Sequence, residues 1–414
     1  APVTVLYNAT KASFQSRASS SASFRDQSVR VDLNLAHHRQ YESPYPLSYH
    51  KVERGYFSVI HSGEGDGWDI NHSAMSSIIC FQGKLFLVDA GPNLPAIMNA
   101  LGISVSEIEG IFHTHSHDDH FAGLPTLMQT DHRIRYFATP LVRAAVTKKL
   151  TAMLGVEERE FEHYFDVHDL DVDSWNKIGG LEVRPIFSPH PVETTCFYFR
   201  AMGPEGYKTY GHMADIASFS VLESMVTDDD TAPGISAARF ARTKYEYHVP
   251  TNVKKIDIGG GLIHGSALDF KDDPSDKIIL AHTDREHTPE EKEIGSGAPF
   301  GTVDVLIDGY QNYVWRFAYE YLKTYFGNAS NDQLQMLLNN PVATYNPESI
   351  IVREGDVHEH VRLILTGNVE WLTSAAQMSG MLSAGAFIGE RSVLTERPAS
   401  ITVRAASFVR ALRI

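Results

Sequence analysis

The sequence predicts an α/β domain followed by a smaller all-β domain, most simply a β-barrel of the jelly-roll kind. Between residues 51 and 326, short β-branched and aromatic runs alternate with helical periodicity, which is the pattern of an α/β domain. Between 327 and 414 the apolar runs are short and glycine turns separate them, as in a barrel. Residues 1–50 show no clear pattern and are interpreted as an N-terminal extension of unclear structure. A chain of 414 residues is long enough for two or three such units.

The α/β domain opens with a predicted β-hairpin. Two apolar runs, Ser77–Phe81 and Lys84–Asp89, are separated only by Gln82 and Gly83, which is the spacing of a tight turn. Helical periodicity over 94–101 then leads to a strand over 110–113. Thr139 and Gly155 have the positions of an N-cap and a C-terminal stop, so a helix is predicted between them.

Composition excludes several classes of function. The chain has 36 Lys and Arg against 51 Asp and Glu, and its net charge of −15 disfavours general nucleic-acid binding. No apolar run is long enough to predict a membrane span. The two cysteines, Cys80 and Cys196, lie in apolar runs, so they are expected to be buried thiols without a disulfide. This cysteine usage favours a reducing cytoplasm.

One segment carries most of the chemical signal. His113-Thr-His-Ser-His-Asp-Asp-His120 has four histidines in eight positions, directly after a predicted strand. Imidazole and carboxylate ligands without cysteine favour an open catalytic metal site over a closed structural zinc site. His115 and His117 are two residues apart and can converge on one ion. Asp119 and His120 project away from that pair and can hold a second ion.

The same segment resembles the HxHxDH signature of the metallo-β-lactamase superfamily, and further motifs follow in that family's order over about 50–310. The resemblance implies an αββα sandwich with two divalent metal ions, zinc first and manganese or iron as alternatives. It matches Asp89 to a residue that orients a ligand. The implied ligands are His115, His117 and His190 for the first ion, and Asp119, His120 and His282 for the second, with Asp215 bridging the two.

Three neighbouring residues have competing interpretations. His113 shares a strand face with His115, but the family does not use this position, so a structural role is predicted. His212 precedes Asp215 in the same segment and competes with it as a ligand. Asp118 is interpreted as a surface carboxylate.

Two segments reduce the number of substrate classes that the sequence favours. Gly63-Glu-Gly-Asp-Gly67 is similar to the opening of the ribonuclease Z branch, and Gly261-Leu-Ile-His-Gly-Ser266 resembles that branch's LIHEAT segment. The resemblance makes Asp119 and His264 the catalytic residues, with His264 as general acid, although Gly265 stands where the branch has glutamate. It implies attack of a metal-bridging hydroxide on a small, anionic phosphodiester, cyclic nucleotides included. Hydrolysis of an acyl, thioester or lactone substrate stays open, and so does a di-iron sensor.

The C-terminal segment over 327–414 resembles a cyclic-nucleotide-binding domain. The resemblance implies that Gly389 and Glu390 bind phosphate and ribose. However, Ala399 follows Pro398 where the family has its phosphate-binding arginine, and a phosphate loses a major contact without it. A barrel for packing or homodimerisation is therefore favoured over nucleotide binding. The segments that carry the resemblance are Ile350–Asp356, Leu363–Glu370 and Gly385–Glu390.

Overall fold

The computed structural model describes residues 43, 45–69, 71–130, 132–229, 231–374 and 376–414, together with the backbone of three strands near the N-terminus. Most of the extension over 1–50 lies outside the described residues. The three strands pair antiparallel in the order β1-β2-β3. They are β1 (Thr4–Asn8), β2 (Ser19–Phe24) and β3 (Gln27–Asp32).

The first large sheet begins with the predicted hairpin. Its strands are β4 (Phe57–Gly63), β5 (Ser76–Phe81), β6 (Lys84–Val88), β7 (Ile108–Phe112), β8 (Ile134–Ala138) and β9 (Phe165–Asp169). They lie side by side in chain order, antiparallel up to β6 and parallel from β6 onwards. The hairpin prediction is confirmed. Gln82 and Gly83 both have positive φ, 51° and 77°, which matches the right-handed twist of the two strands.

The second sheet has six strands, also in chain order. They are β10 (Asn176–Ile178), β11 (Leu181–Ser188), β12 (Thr194–Gly203), β13 (Gly206–His212), β14 (Val253–Asp257) and β15 (Ile278–Ala281). The strand after it, β16 (Val303–Ile307), returns to the first sheet and pairs antiparallel with β4.

Helices cover the outer face of both sheets. They are α1 (Leu94–Ala100), α2 (Asp118–Phe121), α3 (Pro140–Leu154), α4 (Phe161–Tyr164), α5 (Phe219–Ser224), α6 (Ala237–Tyr247) and α7 (Pro289–Lys292). An aromatic core that includes Phe112, Phe197 and Phe199 fills the space between the sheets. Separate apolar clusters lie between each sheet and its helices. The predicted αββα sandwich is confirmed, and so is the helix between Thr139 and Gly155.

The C-terminal domain has two four-stranded antiparallel sheets, in the orders β17-β24-β19-β22 and β18-β23-β20-β21. The strands are β17 (Val342–Tyr345), β18 (Ile350–Val352), β19 (Arg362–Thr366), β20 (Val369–Thr373), β21 (Met378–Leu382), β22 (Phe387–Ile388), β23 (Thr402–Ala405) and β24 (Val409–Arg413). Three helices accompany them: α8 (Val314–Tyr325), α9 (Asn331–Leu338) and α10 (Glu390–Thr395). This arrangement confirms the predicted jelly-roll.

The domain boundaries at 50 and 326 stay a prediction. Helix α8 precedes the second boundary, but its Leu322 lies in one apolar cluster with Leu363 of β19 and Leu412 of β24. Both cysteines are buried and free, as predicted. Among the residues that the structure describes, no helix is long and apolar enough to cross a membrane.

The two domains meet at the last turn of α1 and at the segment that follows it. Asn368 of the barrel donates to Asn99 Oδ1 over 3.2 Å, and Asn99 donates back to the Ala406 carbonyl over 3.0 Å. Glu107 accepts from the Gly367 amide at 3.1 Å and forms an ion pair with Arg54. The Glu107 side chain is 1% exposed, so this carboxylate is a buried charge shared by both domains.

We expect Glu107→Ala to destabilise the protein by about 3–5 kcal/mol, because it leaves the largely buried Arg54 guanidinium without its partner. Urea unfolding measures this change. Glu53→Ala is the matched control, since Glu53 is 82% exposed and lies 4.0 Å from Arg410. Equal stability of the two variants would contradict the assignment of Glu107 as a structural ion at the domain junction.

Candidate binuclear metal centre

The candidate ligands converge because they follow strand ends. Parallel strands of both sheets end at the same edge, and the segments beyond them are close in space. The residues that follow these ends are Asp89 after β6, His115 and His117 after β7, His190 after β11, Asp215 after β13 and His282 after β15. Asp119 and His120 lie in α2, directly after His117.

The first group contains His115, His117, His190 and one oxygen of Asp215. His117 Nδ1 lies 3.1 Å from His115 Nε2 and 3.3 Å from His190 Nε2. Asp215 Oδ2 is 3.4 Å from His115 Nε2 and 3.6 Å from His190 Nε2. These four atoms face a common point.

The second group contains Asp119, His120, His282 and the other oxygen of Asp215. Asp215 Oδ1 lies 3.0 Å from His120 Nε2 and 3.3 Å from His282 Nε2. Asp119 Oδ2 is 3.1 Å from His120 Nε2 and 3.2 Å from His282 Nε2. Asp215 therefore gives one carboxylate oxygen to each group.

The spacing of these atoms fits metal ligands. Ligands about 2.0–2.1 Å from a tetrahedral ion stand ~3.3 Å from one another, and the measured separations are 3.0–3.6 Å. His120 Nε2 and Asp215 Oδ1 are both buried, and neither forms a hydrogen bond despite their 3.0 Å separation. Their orientation suits a shared ion better than a contact with each other.

Asp89 supports two of the candidate ligands on the side of their rings that faces away from the ligand groups. Its Oδ2 contacts His120 Nδ1 at 2.7 Å and accepts from the Thr114 hydroxyl at 2.7 Å. The Thr114 hydroxyl in turn lies 2.9 Å from His115 Nδ1. One buried carboxylate thus orients a histidine in each group, as ligand-supporting carboxylates do in metal sites.

The electrostatics of the cluster favour cations. Burial lowers the pKa of His115 and of His190 to about 4, so both imidazoles are neutral at pH 7, which is the ligand form. His282 behaves differently. Although burial opposes its charge, the carboxylates of Asp215 and Asp257 raise the pKa of His282 to about 9. In the metal-free protein, the proton on His282 therefore supplies positive charge at a position where a bound cation would otherwise do so.

His264 lies at the edge of the second group and is held by a carboxylate that sequence reasoning missed. Its Nδ1 is 3.0 Å from Asp257 Oδ2, and its ring stacks on His282 with 4.5 Å between centroids. Asp257 also accepts backbone N–H groups from Ile216 and Gly265. Asp257 ends β14 before a glycine run, so its strand-end position was the available signal.

The three competing residues lie outside both groups. His113 is fully buried against Phe121, and burial lowers its pKa to about 4, so it is a neutral core residue. His212 contacts the Tyr210 hydroxyl at 3.0 Å. Asp118 is exposed and pairs with Lys149.

The residues expected to bind a nucleotide lie at the start of α10 in the C-terminal domain. Gly389 adopts a φ of 82° at the start of α10, and Glu390 is exposed. Ala399 is buried, and its backbone pairs with Asp356. Arg362 lies beside Gly389, since its Nη1 is 3.9 Å from the position that a Cβ on Gly389 would take.

Comparisons with known proteins match the two domains separately. Residues 57–213 match the family model described as anti-Pycsar protein Apyc1, and residues 342–414 match the cyclic nucleotide-binding domain. The cAMP/cGMP-dependent 3′,5′-cAMP/cGMP phosphodiesterase B of Dictyostelium discoideum is 24% identical over 149 residues, which are 36% of this chain and 14% of that protein. A ribonuclease Z of Methanococcus maripaludis is 28% identical over 145 residues, 33% of this chain and 47% of that protein. The chain thus spans less than half the length of these relatives.

Solved structures that align with this chain have lower sequence identity. The metallo-β-lactamase fold protein YhfI from Bacillus subtilis aligns with a TM-score of 0.44 at 14% identity, covering 61% of this chain and 99% of that one. The short form of human tRNase Z aligns with a TM-score of 0.42 at 15% identity, covering 60% and 99%. The structure thus joins an αββα sandwich to a two-sheet β domain, and residues 342–414 match the cyclic nucleotide-binding domain, as predicted.

Stability of the metal-free protein should depend on the proton of His282. The folded pKa of about 9 lies above the ordinary value of 6.5, so this stabilisation is complete below pH 6.5 and is lost as pH rises through 9. Urea unfolding of chelator-treated protein should show a loss of about 3 kcal/mol over this interval. His282→Gln should flatten the profile, while the exposed His163→Gln should leave it unchanged. An unaltered profile in His282→Gln would refute the assignment.

Proposed function

We propose that this chain is a metal-dependent hydrolase of small phosphodiesters, with 3′,5′-cyclic nucleotides as the first substrates to test. The observation that carries the proposal is the pair of ligand groups that share Asp215, with His264 beside them. Two similar proteins, a cyclic-nucleotide phosphodiesterase and a ribonuclease Z, are named for cleavage of the same type of bond. A net charge of −15 favours a small substrate over a long polyanion.

Seven residues would hold two ions between them. When bound, the ions would polarise the substrate phosphate and lower the pKa of an attacking water. Each group offers four ligand atoms from the protein, and His and Asp ligands accept zinc, manganese or iron. The proposed ligands are His115, His117, Asp119, His120, His190, Asp215 and His282.

His264 is the proposed general acid, and Asp257 is its positioning residue. Because Nδ1 donates to Asp257, the imidazolium presents the proton on Nε2 to the leaving oxygen. Asp257 takes the supporting role that glutamate has in the ribonuclease Z branch, where this chain has Gly265. Asp119 contacts His120 and His282 through Oδ2, so Oδ1 is available to accept a proton from the attacking water.

The central test is turnover of bis(p-nitrophenyl) phosphate and of 3′,5′-cyclic AMP by the metal-loaded protein. We expect His117→Ala to lower kcat/KM at least ~100-fold, because His117 belongs to the first ligand group, and chelation should abolish activity in the wild type. His163→Ala is the matched control, because this histidine is 71% exposed and pairs with Glu160.

Four outcomes would count against the proposal. Absence of phosphodiester turnover by metal-loaded protein would refute it, as would full activity in His117→Ala. Turnover of a thioester or lactone without phosphodiester cleavage would indicate an acyl hydrolase. A redox-active iron spectrum without turnover would indicate a sensor.

We further infer that the barrel binds an anionic nucleotide at Gly389 and Glu390. Arg362 would contact the phosphate, because Ala399 occupies the position where the family has its phosphate-binding arginine. Arg362 shares the inward strand face of Ile364, a core residue of the barrel. Its Nε donates to the Tyr345 hydroxyl, and its Nη1 donates to the His360 carbonyl. Among the described residues, no carboxylate pairs with Arg362, which leaves guanidinium donors for a phosphate. The match to the cyclic nucleotide-binding domain supports this placement.

Calorimetry with cyclic AMP and cyclic GMP tests the barrel site. Arg362→Leu should weaken binding about tenfold or more, because it removes charge-assisted hydrogen bonds to phosphate. Arg316→Leu is the control, since Arg316 is 42% exposed and pairs with Glu320 on α8. Heat that neither variant changes, or no heat at millimolar nucleotide, would contradict the assignment.

A further inference from the structure

We propose that Trp68 and Leu262 form an apolar clamp at the mouth of the metal centre, and that this clamp holds the nucleobase of the substrate. The inference rests on the proposed phosphodiesterase function and names the substrate class as nucleoside phosphodiesters. It assigns a role to the exposed apolar side chains of two loops beside the ligand groups.

Trp68 lies on a turn that contacts the second ligand group. The Asp66 carboxylate accepts the Trp68 and Asp69 amides at 2.9 and 3.3 Å, which fixes the turn. Gly67, between them, has a φ of 77°, and a Cβ there would lie 2.4 Å from the Cβ of Asp119. The backbone of the turn is therefore in direct contact with Asp119, and only glycine fits. Trp68 itself is 85% exposed.

Leu262 lies on a second loop that contacts the first ligand group. The Ile263 carbonyl is 3.0 Å from His190 Nδ1, and the next residue is His264. At the other end of the loop, the Gly259 amide donates to Asp257 over 2.8 Å. Leu262 is 81% exposed and Ile263 is 37% exposed. Both ends of this loop are thus fixed at the metal centre, while its apolar side chains face solvent.

The two loops approach the centre from its two ligand groups. Trp68 is one residue from the contact with Asp119, and Leu262 is one residue from the contact with His190. A phosphodiester bound at the metal centre would carry its substituents out between these loops. A nucleobase has flat apolar faces that would cover the exposed indole and leucine surfaces.

Stacking on an aromatic side chain strengthens nucleotide binding roughly tenfold to a hundredfold per base. It discriminates weakly among bases, because every base has a π-face. The clamp contributes no hydrogen-bond donors or acceptors from Leu262, and only the indole N–H from Trp68. We therefore expect the enzyme to accept purine and pyrimidine substrates with similar kcat/KM.

The experiment uses two substrates with the same leaving group, thymidine 5′-p-nitrophenyl phosphate and methyl p-nitrophenyl phosphate. Trp68→Ala should lower kcat/KM about tenfold or more for the thymidine substrate, mainly through KM, and change it less than about twofold for the methyl substrate. Trp68→Phe should keep most of the activity, because phenylalanine still stacks. Leu262→Ala should act in the same direction as Trp68→Ala.

Tyr310→Ala is the matched control variant. Tyr310 is 93% exposed. It follows Ile307, which pairs with Phe57 at the start of β4. The turn with Trp68 follows Gly63 instead, at the other end of β4. This aromatic side chain is therefore at the opposite end of the strand from the metal centre. Its removal should leave both substrates unaffected.

A binding measurement keeps the clamp testable without turnover. Thymidine 5′-monophosphate should quench tryptophan fluorescence in the wild type, and Trp68→Phe should remove that quenching while the other three tryptophans remain. Equal loss for both chromogenic substrates in Trp68→Ala, or quenching that persists in Trp68→Phe, would overturn the clamp. If the wild type cleaves neither substrate but Trp68→Phe abolishes quenching, the proposed function fails and the clamp stands.

Discussion

The candidate metal centre depends on one buried carboxylate, Asp89, directly after β6 of the first sheet. Asp89 adopts a φ of 66°, outside the region that strands use, and this conformation turns its carboxylate under the His113–His120 segment. From there it contacts His120 and the Thr114 hydroxyl, which contacts His115. The Asp89 carboxylate therefore orients one histidine in each ligand group, and the sheet fixes the position of Asp89 itself.

The chain gathers more negative charge at this point than a folded protein retains without compensation. Asp119, Asp215 and Asp257 lie within the cluster, and these carboxylates raise the pKa of His282 to about 9 although burial opposes its charge. Buried carboxylates without counter-ions are strongly destabilising. Two bound cations would compensate these carboxylates, and protons do so in their absence. The electrostatics and the spacing of the ligand atoms therefore both favour bound metal ions.

Helix α1 connects this centre to the C-terminal barrel. It begins just beyond Asp89, and the segment after it is held by Asn368 and by the buried pair of Glu107 and Arg54. The same short element therefore packs on the ligand-supporting segment at one end and on the barrel at the other. These hydrogen bonds and the buried ion pair of Glu107 join the two domains at this junction.

The sequence by itself determined the α/β domain, the β-barrel and the hairpin, because strand periodicity, turn glycines and caps are local properties of the chain. The αββα arrangement of the two sheets was expected only from the resemblance to the metallo-β-lactamase superfamily. It also predicted which histidines and aspartates share the centre, but only because their order resembled a family's order; no spacing relates His115 to His282. Only the tertiary structure decided that Asp257 supports His264, that Gly67 packs on Asp119, and that Arg362 lies beside Gly389. The partners in each contact lie on different strand ends or loops, from seven residues apart for Asp257 and His264 to 52 for Gly67 and Asp119. Side-chain direction at such ends depends on packing that no local pattern encodes.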